Sequence, residues 1–125
     1  MSELGLTDHE LAVMEELWRL GAATIRQVTV AIHTDPNTAK YATVQRQLDR
    51  LEGKGFIRRR KTTWKNEFEP ILSRSDIVGQ SLQRLADRLC SGSFTPIVAN
   101  LATKSTLTAK QRAALQSLID QSKED

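Results

Sequence analysis

The sequence predicts a mainly α-helical protein: three N-terminal helices and a β-hairpin, followed by further helices. Three observations lead there. Thr-x-x-Glu or Thr-x-x-Gln tetrads open several stretches whose apolar residues recur at helical spacing. In such a capping box the two side chains satisfy each other's orphan backbone donors. One central stretch breaks the helical period and reads as two short strands around a polar tip. Positive charge gathers in that same centre. Residues 40–65 hold nine cations and two anions, against two cations and six anions in residues 1–39 and seven of each in residues 66–125.

The first box is Thr7-Asp8-His9-Glu10. Leu11, Met14, Leu17 and Trp18 then keep to one face, and Gly21 stops the helix. Thr24-Ile25-Arg26-Gln27 opens a short second helix with Val28, Ala31 and Ile32 as its apolar face. Residues 34–38 read as a turn around Pro36. The third helix follows in "YATVQRQLDRLEGKG", with Val44, Leu48 and Leu51 at i, i+4 and i+7; Gly53 and Gly55 end it. Residues 56–61 read as a strand, 62–66 as a tip and 67–71 as a returning strand, which Pro70 confines to an edge. This order is the layout of a winged helix-turn-helix. In that fold the third helix enters the DNA major groove and the hairpin reaches for the backbone or minor groove.

Composition changes near residues 72–75, which divides the chain into a DNA-binding part, 1–72, and a helical part, 73–125. Ser73 or Ser75 caps a helix running to about Leu89, on which Val78, Leu82, Leu85 and Leu89 form an a/d seam. Ser91-Gly92-Ser93 interrupts it. Residues 94–102 form a short helix that tolerates Pro96 in its first turn. Thr108-Ala109-Lys110-Gln111 opens a last helix with Leu115, Leu118 and Ile119 on one side. A chain of 125 residues buries a small core, so a second chain is expected to cover any extra apolar face.

Composition excludes several classes. No apolar run approaches a membrane span, and no basic-then-apolar leader opens the chain, so it is expected in the cytoplasm without membrane insertion. The single cysteine, Cys90, permits no internal disulfide or cysteine-based zinc site and reads as a packed small residue. His9 and His33 have no carboxylate or thiol at ligand spacing, so no metal and no cofactor are expected. No Gly-rich phosphate loop, nucleophile signature or catalytic carboxylate pair is present, which argues against an enzyme.

With Val44, Leu48 and Leu51 inward, the third helix turns Ala42, Thr43, Gln45, Arg46, Asp49 and Arg50 outward. Ala42 and Thr43 allow close approach to a thymine methyl, and Gln45 can read adenine. Arg46 can take guanine bidentately or clamp a phosphate. Lys40, Tyr41, Arg50 and Lys54 are placed for phosphates, which set register without reading sequence. In the wing Arg58 and Arg60 share one face and Arg59 and Lys61 the other, so not all four touch DNA; Lys65 sits at the tip. Trp64, also at the tip, either packs on the sugar-phosphate edge or folds back over the hairpin. For a basic cluster the ordinary reading is a solvated face; its following a helix of suitable polarity favours phosphate binding.

The stretches "LTDHELAVMEELWRLGAATIRQV", "ATVQRQLDRLEGKGFIRRRK" and "RLCSGSFTPIVANLATKSTLTAKQRAALQSLI" resemble the penicillinase-repressor family of the BlaI/MecI type, related to the copper-responsive CopY repressors. The resemblance spans roughly Leu6 to Ile119. It implies a homodimeric repressor of a palindromic operator, whose C-terminal helices interlock with those of a second copy. It also implies release by a cut in those helices, triggered by a membrane-bound sensor metalloprotease that detects β-lactams. On this sequence the cut falls at Asn100-Leu101, with Leu where family members tend to carry Phe. The cysteine-rich C-terminal motif of the copper branch is absent. Other readings of the same residues are a winged-helix regulator answering to a small ligand and a winged-helix adaptor that docks proteins.

Overall fold

A computed structural model of the chain describes residues 4–62, 64–103 and 108–124. The elements run α1 (Asp8–Leu20), α2 (Ile25–Ile32), α3 (Thr38–Lys54), β1 (Ile57–Lys61), β2 (Asn66–Pro70), α4 (Arg74–Leu89), α5 (Thr95–Thr103) and α6 (Ala109–Glu124). Two compact units divide the chain, Met1–Ser81 and Leu82–Asp125.

Local chemistry explains most element boundaries. The Thr7 box closes in both directions, with Thr7 N–H donating to Glu10 Oε1 at 2.8 Å and Glu10 N–H to Thr7 Oγ1 at 3.1 Å. Thr24 with Gln27, and Thr108 with Gln111, do the same. Ser73, not Ser75, caps α4, exchanging hydrogen bonds with Asp76. The third helix begins earlier than the turn-like composition around Pro36 predicts. Asn37 Oδ1 accepts from Lys40 N–H at 3.0 Å, so Asn37 is the cap and Thr38 the first helical residue. Gly53 lies inside the helix; Gly55 alone ends it, in the left-handed conformation at φ 84°.

Met1–Ser81 is built on one core. Val13, Met14 and Leu17 of α1, Val28 of α2, and Val44, Leu48 and Leu51 of α3 meet Phe56, Ile57 and Phe68 of the hairpin region, and Ile77 closes the cluster from α4. The strands pair antiparallel, with Ile57 opposite Pro70 and Lys61 opposite Asn66. The second strand is not a free edge along its length. Phe68 and Ala23 exchange backbone hydrogen bonds of 2.8 and 3.0 Å, so the link between α1 and α2 adds a one-residue third strand. Pro70 lies beyond that bridge, near the strand end, where its missing N–H leaves no ladder bond open. Trp18 Nε1 donates to the Leu72 carbonyl at 2.9 Å, and Arg74 lies 4.7 Å over the Trp18 ring, tying the chain after the hairpin to α1.

In Leu82–Asp125, Ala86 is fully buried. Ser91 and Gly92 both adopt positive φ, and the Gly92 N–H returns to the Ala86 carbonyl at 2.9 Å, closing the end of α4. Leu85, Leu89, Cys90, Ile97 and Leu101 line an apolar cleft between the end of α4 and α5.

Candidate nucleic-acid interface

α3 is amphipathic as expected. Val44, Leu48 and Leu51 are fully buried, while Ala42, Arg46, Asp49 and Arg50 are exposed and Tyr41, Thr43 and Gln45 half-buried. Arg46 and Arg50 have no ion-pair partner among the described residues. Thr43 donates its hydroxyl hydrogen to the Ala39 carbonyl at 3.0 Å, which leaves its methyl and the acceptor side of its oxygen for a partner. Gln45 Nε2 donates to Asp49 Oδ1 at 2.8 Å. Lys40 Nζ donates to the Asp35 carbonyl at 2.7 Å, bracing the entry to the helix.

Lys54 is differently placed. Its ammonium bridges both oxygens of Glu10 at 2.8 and 2.9 Å, and Glu10 is only 1% exposed. Burial alone would raise the Glu10 carboxyl pKa. The Lys54 hydrogen bond and charge, with the Thr7 backbone and hydroxyl, outweigh it and hold the group below its ordinary value. This amine pins the end of α3 to the start of α1.

The wing sorts its cations by strand register. Arg58 lies opposite Glu69 and Arg60 opposite Glu67. Arg58 pairs with Glu69, and Arg60 lies 3.7 Å from Glu67 and 3.6 Å from Glu69. Cross-strand pairing therefore balances the outward face, although both arginines are exposed enough for a phosphate to compete. Arg59 faces inward. It contacts Asp49 and Glu52 of α3 at 3.0 and 3.3 Å and lies 5.0 Å over the Phe68 ring. At the tip the Thr62 N–H and hydroxyl both donate to the Lys65 carbonyl, closing the turn. Trp64 is 90% exposed, so it does not fold back over the hairpin.

Along α4 the seam residues Val78, Leu82 and Leu89 are exposed and Leu85 half-buried. The side chains of Leu115, Leu118 and Ile119 lie outside the described residues. Asn100 and Leu101 sit within α5, where Asn100 Nδ2 donates to the Pro96 carbonyl at 3.1 Å; Leu101 is 39% exposed. Among the described residues no group of His, Cys, Asp or Glu could hold a metal ion. No helix of the described residues is long and apolar enough to cross a membrane.

The three-helix and hairpin order, with a cationic face on α3, is that of a winged helix-turn-helix. The family model described as penicillinase repressor matches residues 6–121. The chain belongs to the penicillinase repressor family. That assignment makes it a transcriptional repressor of a DNA-binding, non-enzymatic family associated with antibiotic resistance. No curated protein compared with the chain matches it.

Three residues hold roles that the sequence reading did not give them. Asn37 sets where α3 starts, Asp49 holds Gln45, and Arg59 joins the wing to α3. Local signals existed for Asn37, a residue type favoured at helix N-caps, and for Asp49, four residues after Gln45 on the same helix; none existed for Arg59.

Proposed function

We propose that this chain acts as a cytoplasmic homodimer that binds a palindromic operator and blocks transcription of genes serving β-lactam resistance. Residues 1–72 are the reading part and 73–125 the dimerisation part. The observation that carries the reading is the outward face of α3. Arg46 and Arg50 stand there exposed and unpaired among the described residues, while nearby wing arginines are balanced by carboxylates. An unpaired cation gives up no intramolecular partner when it takes a phosphate or a guanine edge.

In this reading Ala42, Thr43, Gln45 and Arg46 meet the bases. Lys40, Tyr41, Arg50 and Lys65 meet the backbone, and Arg58 and Arg60 join them by exchanging a glutamate for a phosphate. Lys54, held by Glu10, contributes through the position of α3 rather than by direct contact. The exposed Val78, Leu82 and Leu89, with Leu85, Leu115, Leu118 and Ile119, supply the face a second copy covers. Coupling two half-sites raises operator affinity through effective concentration. A sensor metalloprotease that cuts Asn100-Leu101 uncouples them without touching the reading head. The position of that bond inside α5 requires the helix to open first.

Selection of duplexes from random DNA, followed by salt titration of the selected site, tests this reading. Log affinity is expected to fall linearly with log salt. Arg46→Ala is expected to weaken binding and broaden sequence preference, and Leu85→Asp to yield monomers that lose the operator. Indifference to duplexes in dilute buffer, or a tight dimer carrying Leu85→Asp, refutes it.

A further inference from the structure

Asp49 is an acidic residue on a face otherwise suited to a polyanion, and it is 51% exposed. Its Oδ1 is a junction. It accepts from Gln45 Nε2 at 2.8 Å, one turn earlier on α3, and from the Arg59 guanidinium at 3.0 Å, from the wing. Arg59 is itself braced. The same terminal nitrogen lies 3.3 Å from Glu52 Oε1, and the guanidinium stacks at 5.0 Å on Phe68, a core residue 1% exposed. Among the described residues Arg59 Nε finds no hydrogen-bond partner, so the group is held by its end and its face. A chain of contacts therefore runs from the core through the wing to one amide on the reading helix.

Chemistry orients that amide. An ionised carboxylate only accepts, so the Gln45 NH2 faces Asp49. One of its hydrogens is committed there, which leaves the carbonyl oxygen and the second hydrogen for another partner. Those two groups are the edge that reads adenine, accepting from N6 and donating to N7. A free glutamine must give up rotamer freedom to present it, and a held one has already done so.

Resting on the DNA-binding reading above, we propose that Asp49 and Arg59 are positioning residues that hold the Gln45 amide edge for one adenine. The wing then contributes to sequence preference through α3, not only to affinity through phosphates.

Selection from random duplexes with Gln45→Ala first identifies the base pair whose preference collapses. Asp49→Ala is then expected to lower adenine preference at that pair about fivefold or more, toward the Gln45→Ala level. Its binding to non-specific duplex is expected to stay equal or strengthen, because a negative charge has been removed. Loss of preference without loss of affinity is a signature that general structural damage does not produce. Arg59→Lys keeps the charge but loses the guanidinium that lies over Phe68 while one of its nitrogens reaches Asp49 and Glu52. It is expected to fold, to lose part of the preference and to keep the wild-type salt slope. Three results overturn the proposal. One is full adenine preference in Asp49→Ala. Another is an Arg59→Ala salt slope smaller by about one phosphate with preference intact. The third is a Gln45→Ala variant unchanged at every position. Failure of the wild-type protein to bind any duplex has a different signature and overturns the DNA-binding reading itself.

Discussion

Replacing Lys54 with Met tests whether its ammonium is a structural tie or a hand held out to DNA. In the folded chain it bridges both oxygens of Glu10, which is 1% exposed. Among the described residues the variant leaves that carboxylate buried with the Thr7 N–H and hydroxyl as its remaining partners. Removing one partner of a fully buried pair costs about 3–5 kcal/mol. The Lys54 side chain is 41% exposed, so water already screens part of the pair, and about 2 kcal/mol is expected at pH 7. For a chain of this size that lowers Tm by about 8 °C. The pH dependence carries its own sign. In the wild-type protein burial raises the Glu10 pKa, but the Lys54 and Thr7 interactions bring it below the ordinary 4.5. Its stabilisation is therefore present above that value and lost as pH falls through the lower, folded-state one. In Lys54→Met burial dominates and the folded-state value rises, so the deficit is full at pH 7 and narrows as pH falls toward 4.5 and Glu10 takes up a proton. Thermal melts from pH 4.5 to 7.5, with Glu10→Gln and the double variant closing a cycle, measure this. A Tm within 1 °C of wild type, or a deficit that does not change with pH, refutes the reasoning. A salt slope for duplex binding reduced by about 0.9 would instead make Lys54 a direct phosphate contact.

Other expectations follow from neighbouring contacts. Trp64→Ala is expected to change stability by less than about 0.5 kcal/mol, since the ring is 90% exposed, while weakening duplex binding. A variant destabilised beyond that in a denaturant titration contradicts the exposed tip. Phe68→Ala removes a core ring that also carries Arg59, and about 3–5 kcal/mol is expected by urea unfolding. Gly55→Ala forces a Cβ into φ 84° and is expected to cost about 1 kcal/mol, although the space around the position is open; an unchanged melting temperature contradicts the left-handed cap.

The elements were largely legible in the sequence because helix signals act within a few residues. The boxes at Thr7, Thr24 and Thr108 and the apolar spacing of α3 each placed an element by interactions between residues three or four apart. Gly55 ended α3, and the charge segregation pointed to its outward face. Even the late placing of the α3 start was a local conflict, in which turn-forming residues around Pro36 hid the cap on Asn37.

Tertiary structure alone decided which cations stay free. Lys54 finds Glu10 across a separation of 44 residues, and Trp18 finds Leu72 across 54, distances over which no periodicity carries information. Ala23 completes the sheet beside Phe68 only because the core brings the link between α1 and α2 there. The run Arg58-Arg59-Arg60-Lys61 announces positive charge, but the pleat and register of β1 against β2 assign Arg58 and Arg60 to glutamates and turn Arg59 toward α3. Composition sets how many charges a segment holds; only the packed neighbours determine which remain available to a polyanion.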